Sequence, residues 1–364
     1  MMTLSAREVW ERKGFLGRLS WFLLLPISLL YMTLMQLRNA LFSLDCIKSV
    51  RLPKPVISVG NLTVGGTGKT PTCLWIAQEL KERGLRVGIL SRGYHRRATE
   101  TVVLLAESAD SAIHGTDTGV AKAGDEPAMM ATLYGQTVGI GADRGAAAAE
   151  VLRNTDVDVF ILDDGFQHRR VKRNVDLLLL GADSSGWTLP AGPFREARRN
   201  HRRADFLLVT AANEEWSSIL PGNRGNVTFV GSLRPVSLLS LGSGERKEFP
   251  LTLLYRSKIL TVTGVADPTG LYRLIHEWEG EIVETLEFPD HHSYTARDWQ
   301  QINRVGRLVD LIITTEKDIL KLVRFPFAKD KLLALRVAMS VDNGAVLVDA
   351  IVEKIKESGS NASA

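Results

Sequence analysis

Lys69 and Thr70, preceded by Gly65-Gly66-Thr67-Gly68, form a set whose chemistry is the binding of a nucleoside triphosphate. Glycines let the backbone turn tightly enough for successive N–H groups to face a polyphosphate. Lys69 supplies a point charge for the β and γ oxygens, and the Thr70 hydroxyl can ligate Mg²⁺. A helix beginning here adds its positive N-terminal end. The loop departs from the usual G-x-x-x-x-G-K-[ST] pattern because Thr63 stands at the first glycine position, for which Gly65-Gly66 compensates in part. Asp163-Asp164 is the second set. Two adjacent carboxylates repel unless a cation neutralises them, and Mg²⁺ on the β and γ phosphates would do so. Gln167 and His168 follow closely enough to line the same opening.

These residues need elements to hold them. The apolar run 56–59 reads as the strand entering the loop. Pro71 fits the first helical turn, and Leu74, Ala77 and Leu80 recur at helical spacing until Gly84 ends the pattern. Short β-rich runs at 85–91, 137–141, 157–162, 176–180 and 206–210 alternate with helical stretches, as an open parallel sheet requires. The alternation resumes at 259–263, followed by Asp267-Pro268 as cap and first helical residue, and at 311–314. A chain of 364 residues has room for one large α/β unit and a smaller one, with a polar, Gly-containing boundary near 240–247.

Net charge is only +4, so no global basic field marks a nucleic-acid binder. The basic residues are clustered instead, at 169–173 and 195–203. Such runs are usually solvated faces, but beside a phosphate site they could hold an anionic substrate or acidic headgroups. Two cysteines, Cys46 and Cys73, imply no disulfide framework and suit a reducing cytoplasmic compartment.

Residues 21–35 are almost wholly apolar, with Arg7, Arg12, Lys13 and Arg18 before them and Arg38 after. No small-x-small site follows, and Asp45 stands where a lipoprotein signal needs a small residue before Cys46, so cleavage is not expected. The run falls short of the roughly 20 residues a spanning helix wants, and Pro26 interrupts it. A helix lying in the membrane interface, held by flanking basic residues, is the expectation; a buried core helix is the alternative.

Seven motifs in order, Ser58-Val59-Gly60-Asn61 into GGTGKTP, Ser91-Arg92-Gly93-Tyr94, Gly124-Asp125-Glu126-Pro127, Leu162 to His168, Pro190 to Glu196, Phe288-Pro289-Asp290-His291 and Thr315-Glu316-Lys317-Asp318, carry a resemblance. Over nearly its whole length the chain resembles the tetraacyldisaccharide 4′-kinases, the lipid A kinases of Gram-negative bacteria. The missing first loop glycine is a habit of that family. The resemblance implies a phosphate-loop NTPase-like, mostly parallel α/β sheet flanked by helices, with a smaller C-terminal α/β lobe and an N-terminal apolar membrane-associated helix. Residues 1–45 would form the membrane-interface segment, 46–235 the kinase core, 236–357 the lobe and 358–364 a tail.

The implied reaction moves the γ-phosphoryl group of ATP, with Mg²⁺, to the 4′-hydroxyl of an acylated glucosamine disaccharide 1-phosphate, giving a bis-phosphorylated lipid A precursor. Its partners would be that lipid and the cytoplasmic face of the inner membrane, with no nucleic acid and no obligate protein partner. By the family pattern Gly65, Gly66, Thr67, Gly68, Lys69 and Thr70 bind nucleotide, and Thr70, Asp163, Asp164 and Glu196 surround the metal. Arg92, Tyr94, Arg144, Gln167, His168 and Arg195 fall at positions facing substrate or phosphate. Asp125 and His291 would be the catalytic dyad. A sugar hydroxyl is a poor nucleophile; a carboxylate can accept its proton late in a loose transition state, and an imidazole bonded to that carboxylate can orient it. Read without the family, Asp125 is an N-cap and His291 a loop histidine with His292 as rival.

A membrane-associated nucleotide switch is the competing reading, because GGTGKT also resembles the loop of deviant phosphate-loop ATPases. Those proteins carry a lysine before the double glycine, and here that residue is Val64. The Thr315 to Asp318 motif lacks the asparagine and spacing of a guanine-reading signature and reads as packing or a helix start.

Overall fold

The structure is a computed structural model that describes residues 5–93, 100–105, 123–183, 186–210, 216, 227–242, 246–328 and 331–360. In chain order its elements begin with α1 (Ala6–Trp10), α2 (Gly14–Ser43), β1 (Val56–Asn61), α3 (Lys69–Glu82), β2 (Val87–Ser91) and β3 (Val102–Leu104). Next come α4 (Asp125–Tyr134), β4 (Thr137–Ile140), α5 (Arg144–Asn154), β5 (Val159–Asp163), β6 (Val175–Leu180), β7 (Phe206–Val209), β8 (Val227–Ser240) and β9 (Lys247–Phe249). The chain closes with β10 (Lys258–Thr263), α6 (Thr269–Glu277), β11 (Glu281–Glu287), α7 (Ala296–Gly306), β12 (Leu311–Thr315), α8 (Glu316–Leu322), β13 (Leu332–Val341) and α9 (Gly344–Ser360).

Two compact units are present, one made of Met1–Lys69, Asp158–Ser232 and Val341–Ala364, the other of Thr70–Val157 and Leu233–Ser340. This division is interleaved, whereas the sequence suggested consecutive segments. Parallel neighbours in a sheet need long crossovers, so stretches far apart in sequence end up side by side.

In the first unit, β1 pairs in parallel with β5 on one side and β6 on the other. β7 continues from β6 and the start of β8 from β7, again in parallel. Every residue of β1 and β5 is buried, as expected of strands covered on both faces. Leu62, Phe166, Leu178, Phe194, Leu207 and Trp216 form a core cluster around the strand ends. At Gly60 the β1 backbone runs so close to Phe166 that a Cβ would lie 2.6 Å from it, so only glycine lets the 162–168 segment lie against this strand end.

The second unit pairs β2 with β4 in parallel and β3 with β4 antiparallel. It also contains β11, β10, β12 and β13 in that order, all parallel, with β9 antiparallel to the end of β8. Ile259, Ile275, Ile313, Leu333 and Leu335 lie in the core beneath α6 and β10 to β13.

The N-terminal helix differs from its sequence expectation in length. α2 is a continuous 30-residue helix that runs through Pro26, long and apolar enough to cross a membrane by length and composition. Proline removes one backbone hydrogen bond and hinders another, and side-chain anchoring of the turns that follow it sustains the helix. Those anchors are polar contacts to the first unit. The Ser28 hydroxyl donates to the Thr188 carbonyl at 2.6 Å, Tyr31 to Arg195 O at 2.8 Å and Arg38 to Gln167 O at 2.7 Å. Gly17, Ser28, Asn39 and Phe42 are buried, while Phe15, Phe22, Leu23, Ile27, Leu30, Leu34 and Leu37 stand exposed on the same helix.

Candidate active site

In the first unit the site is built at the C-terminal ends of β1 and β5. Parallel register sets Val59 opposite Asp163, so the aspartate pair emerges where β1 turns into the phosphate loop. Gly65 and Gly66 are exposed at the loop's rim. The rest of the loop is braced. Asn61 Nδ2 donates to Thr67 Oγ1 at 2.9 Å, Thr210 Oγ1 donates to Thr67 O at 3.1 Å, and Val64 N donates to Pro193 O at 2.9 Å. Lys69 opens α3 with its ammonium 3.5 Å from Gly65 O and 3.7 Å from Asp164 Oδ1.

Asp163 ends β5 as a buried residue. Asp164 follows at φ +51°, a left-handed conformation that aspartate tolerates better than most residues. This turn aims its carboxylate at Arg195, whose Nη1 lies 2.7 and 2.9 Å from the two oxygens. Gln167 links the same region, donating to Asn61 O at 2.8 Å and to Glu196 Oε1 at 3.0 Å. His168 is half-buried and its backbone N–H closes the turn on Gly165 O.

Glu196 is enclosed by hydrogen-bond donors. It is 0% exposed, and Arg203 donates to both its oxygens, at 2.9 and 3.0 Å. Asn39 Nδ2 at 2.8 Å, Asn200 Nδ2 at 2.6 Å and Gln167 Nε2 at 3.0 Å supply three more donors. A carboxylate has about four lone-pair sites, all of which these donors take up. Glu196 is therefore a hub joining α2, the 162–168 segment and the basic stretch. Among the described residues no three His, Cys, Asp or Glu side chains group to hold a metal by themselves.

Several of the clustered cations also have internal tasks. Arg169 donates to Asn39 O at 2.7 Å, Arg173 pairs with Asp176 at 2.9 Å, and Arg203 stacks 4.4 Å from the Phe166 ring centre. Arg170, Lys172, Arg198, Arg199 and Arg202 remain exposed.

The second unit assembles the other pair. Gly124, at φ +90°, turns the chain into α4 and puts Asp125 in the first helical turn. His291, itself at φ +61°, presents Nδ1 to Asp125 Oδ2 at 3.2 Å. An ionised carboxylate only accepts, so Nδ1 carries the proton and donates. His291 Nε2 lies 3.6 Å from Asp290 Oδ2. His292 turns elsewhere, to Asp298 at 3.0 Å.

Lys321, which the sequence reading overlooked, donates to Asp125 Oδ2 at 2.9 Å. Burial would raise the Asp125 carboxyl, but the His291 hydrogen bond and the Lys321 charge outweigh it and hold it at about 2. The signal for Lys321 was its i+3 spacing from Asp318 at a helix start, a pattern that reads equally well as packing.

Other expected residues sit apart from these contacts. Arg144 is only 3% exposed and donates to Gly141 O at 3.0 Å and Ala142 O at 3.3 Å, at the start of α5. Arg92 is exposed just after β2, and Tyr94 lies outside the described residues.

A parallel strand, a glycine-rich loop, a lysine opening the next helix and an aspartate pair on the adjoining strand define a phosphate-loop nucleotide-binding α/β protein. Comparison with known proteins makes the class specific. The chain belongs to the tetraacyldisaccharide-1-P 4′-kinase family, whose model matches residues 20–356. Among its relatives, the tetraacyldisaccharide 4′-kinase of Pelobacter propionicus is 37% identical, covering 90% of this chain and 91% of that protein. The Haemophilus influenzae enzyme of the same name is 32% identical, covering 85% and 86%. The crystal structure of LpxK from Aquifex aeolicus in complex with ATP superimposes with a TM-score of 0.74 at 31% identity, covering 92% of this chain and 99% of that one.

Proposed function

We propose that this protein transfers the γ-phosphoryl group of ATP to the 4′-hydroxyl of a tetraacyldisaccharide 1-phosphate, the lipid kinase step of lipid A biosynthesis. Family membership over residues 20–356 supports the reaction, and the ATP complex of the Aquifex aeolicus relative supports the donor. The observation that carries the chemistry is the 3.2 Å contact between His291 and Asp125, two residues 166 apart in the chain.

Lys69 and Arg195, both turned toward Asp164, are the cations a triphosphate would attract. Mg²⁺ suits the donor set, since Asp163, Asp164 and the Thr70 hydroxyl offer the hard oxygens it prefers, and when bound it would neutralise charge on the β and γ phosphates. With its carboxyl at about 2, Asp125 stays ionised and is a weak resting base. That fits a loose transition state, in which the hydroxyl proton becomes acidic only as the phosphoryl group arrives. Asp125 would accept the proton late, and His291 would fix the orientation of the carboxylate through Nδ1–H.

The acceptor's acyl chains give α2 a task. Its exposed leucine and phenylalanine side chains would lie in a membrane surface while its polar face stays on the first unit, an interfacial placement at the cytoplasmic face of the inner membrane. Spanning would require the helix to leave those polar contacts.

ATP consumption measured with and without tetraacyldisaccharide 1-phosphate in detergent micelles tests the reading. Turnover that depends on the lipid supports it. Equal turnover without lipid would favour a nucleotide switch and remove the role given to Asp125 and His291.

A further inference from the structure

We infer that Lys321 is a positioning residue of the phosphoryl-transfer site, held in place by Asp318, and that α8 is the element that assembles the dyad. The inference rests on the kinase reading of Asp125 and His291 given above.

Lys321 lies between two carboxylates, 2.9 Å from Asp125 Oδ2 and 3.0 Å from Asp318 Oδ1, and its side chain is 9% exposed. Burial would push its ammonium down, but the charges of Asp318 and Asp125 more than offset this and keep it a cation. An ammonium so placed cannot wander as a surface lysine does. Its Nζ also sits 5.6 Å from the centre of the Tyr294 ring, which closes off a further side.

Asp318 is 0% exposed and its other oxygen is committed. Oδ2 accepts from Gly264 N at 2.9 Å and from Thr315 Oγ1 at 2.7 Å. Gly264 in turn accepts from the backbone N–H of His291 at 3.2 Å. One buried carboxylate thus fixes both the lysine that holds Asp125 and the backbone that carries His291. A buried carboxylate is costly unless it is paired and bonded in this way.

Two further contacts from the same short helix point to the same task. Lys317 Nζ lies 3.4 Å from Asp290, the neighbour of His291. Glu316, kept protonated more readily than usual by burial, accepts from Tyr134 at the far end of α4 at 2.7 Å and from Arg336 at 3.3 Å. α8 therefore grips α4 at both ends, through Tyr134 and through Asp125, and the loop of His291 through Asp290 and Gly264.

A helix-start reading of Thr315 to Asp318 accounts for the Thr315 cap but leaves Lys321 unexplained. A purely structural role would be met as well by apolar residues replacing Lys321, Asp125 and Asp318 together, since exchanging a whole buried charge group for apolar side chains is often neutral or stabilising. Here the cation contacts the very oxygen that receives the His291 bond, Oδ2 of Asp125. It fixes Oδ2 as the oxygen that takes both bonds, which in this proposal assigns Oδ1 to the acceptor hydroxyl.

The test measures steady-state kinetics of Lys321→Ala and Lys321→Arg on ATP and tetraacyldisaccharide 1-phosphate, beside Asp125→Ala and with melting temperatures recorded. The expectation for Lys321→Ala is a kcat loss of about 10²-fold or more with both KM values nearly unchanged. Ethylammonium added to Lys321→Ala should restore part of kcat saturably, and Lys321→Arg should retain most of it. The acid limb of kcat should also move up by about 1–3 pH units in Lys321→Ala, because a nearby cation depresses a carboxyl by that much. Loss that ethylammonium does not rescue, at an unshifted acid limb, overturns the proposal, as does wild-type kcat in Lys321→Ala. If Lys321→Ala does not fold, Asp318→Asn carries the test: a kcat loss at unchanged KM is expected, and wild-type kcat overturns it. Full activity in Asp125→Ala would instead sink the dyad itself, so the two failures are told apart.

Discussion

Replacing Glu196 by alanine should destabilise the protein by about 3–5 kcal/mol even with no nucleotide or metal present, because it breaks a buried ion pair and strands its partner. The size follows from the site. The Glu196 side chain is 1% exposed and that of Arg203 20%, so water cannot replace the two bonds at 2.9 and 3.0 Å. Asn39, Asn200 and Gln167 lose an acceptor as well. Each buried donor left unmade costs about 1–3 kcal/mol, partly recovered as the amides relax toward solvent. Urea denaturation of the apo protein, followed by fluorescence of its tryptophans, reads this as a lower midpoint at constant slope. Arg203→Met should cost a similar amount, and the double variant less than the sum of the two, because the partners share one interaction. Apo stability of Glu196→Ala within about 0.5 kcal/mol of wild type would refute the hub, since side chains outside such features typically change stability by no more than that.

Three other perturbations follow from the same structure. Asp125 titrates at about 2 in the folded protein against 3.8 ordinarily, so its ionised form contributes stability that is complete above about pH 5 and lost as pH falls through 2. Asp125→Asn should remove about 2 kcal/mol of that acid-dependent stability, visible as a flatter dependence of the unfolding midpoint on pH between 2 and 4. Leu30→Glu with Leu34→Glu, both on the exposed face of α2, should cut co-sedimentation with anionic vesicles at least tenfold while leaving the melting temperature within a few degrees, since each buried leucine contributes about 1.5–3 kcal/mol. Unchanged vesicle binding would argue against an interfacial α2. Gly60→Ala should lower stability by about 1–3 kcal/mol in thermal denaturation, because its Cβ would meet backbone and Cβ of Phe166 at 2.6 Å.

Local chemistry made the phosphate loop legible: a β run, glycines, Lys69 and a helical period signal one another over a short stretch of chain. Asp163-Asp164 was legible for the same reason, since it closes an apolar run that had to be a buried strand. Long-range partnership was not. Nothing in the periodicity says that Asp125 meets His291, and that pairing came only from family resemblance before the 3.2 Å contact was seen. Nor does sequence reveal that Arg203, seven residues on, would fold back to bond both oxygens of Glu196. Residues 21–35 looked too short to span because the count stopped where polar residues begin, although the helix continues to Ser43, with Arg38 and Asn39 bonded to Gln167 and Glu196. Lys321 was invisible because a lysine at i+3 from an aspartate is common on solvated helices, and only burial distinguishes this one.

The central claim is that the phosphate loop and the Asp125–His291 pair serve one transfer to a lipid hydroxyl. The most direct measurement is transfer of label from γ-labelled ATP with Mg²⁺ to tetraacyldisaccharide 1-phosphate, comparing wild type, Lys69→Ala and Asp125→Ala, with the product's new phosphate located by NMR. The account predicts a 4′-phosphate ester with wild type, and losses of about 10²-fold or more in both variants while each still melts cooperatively. Wild-type labelling in Asp125→Ala, or phosphate found at another position, would contradict it.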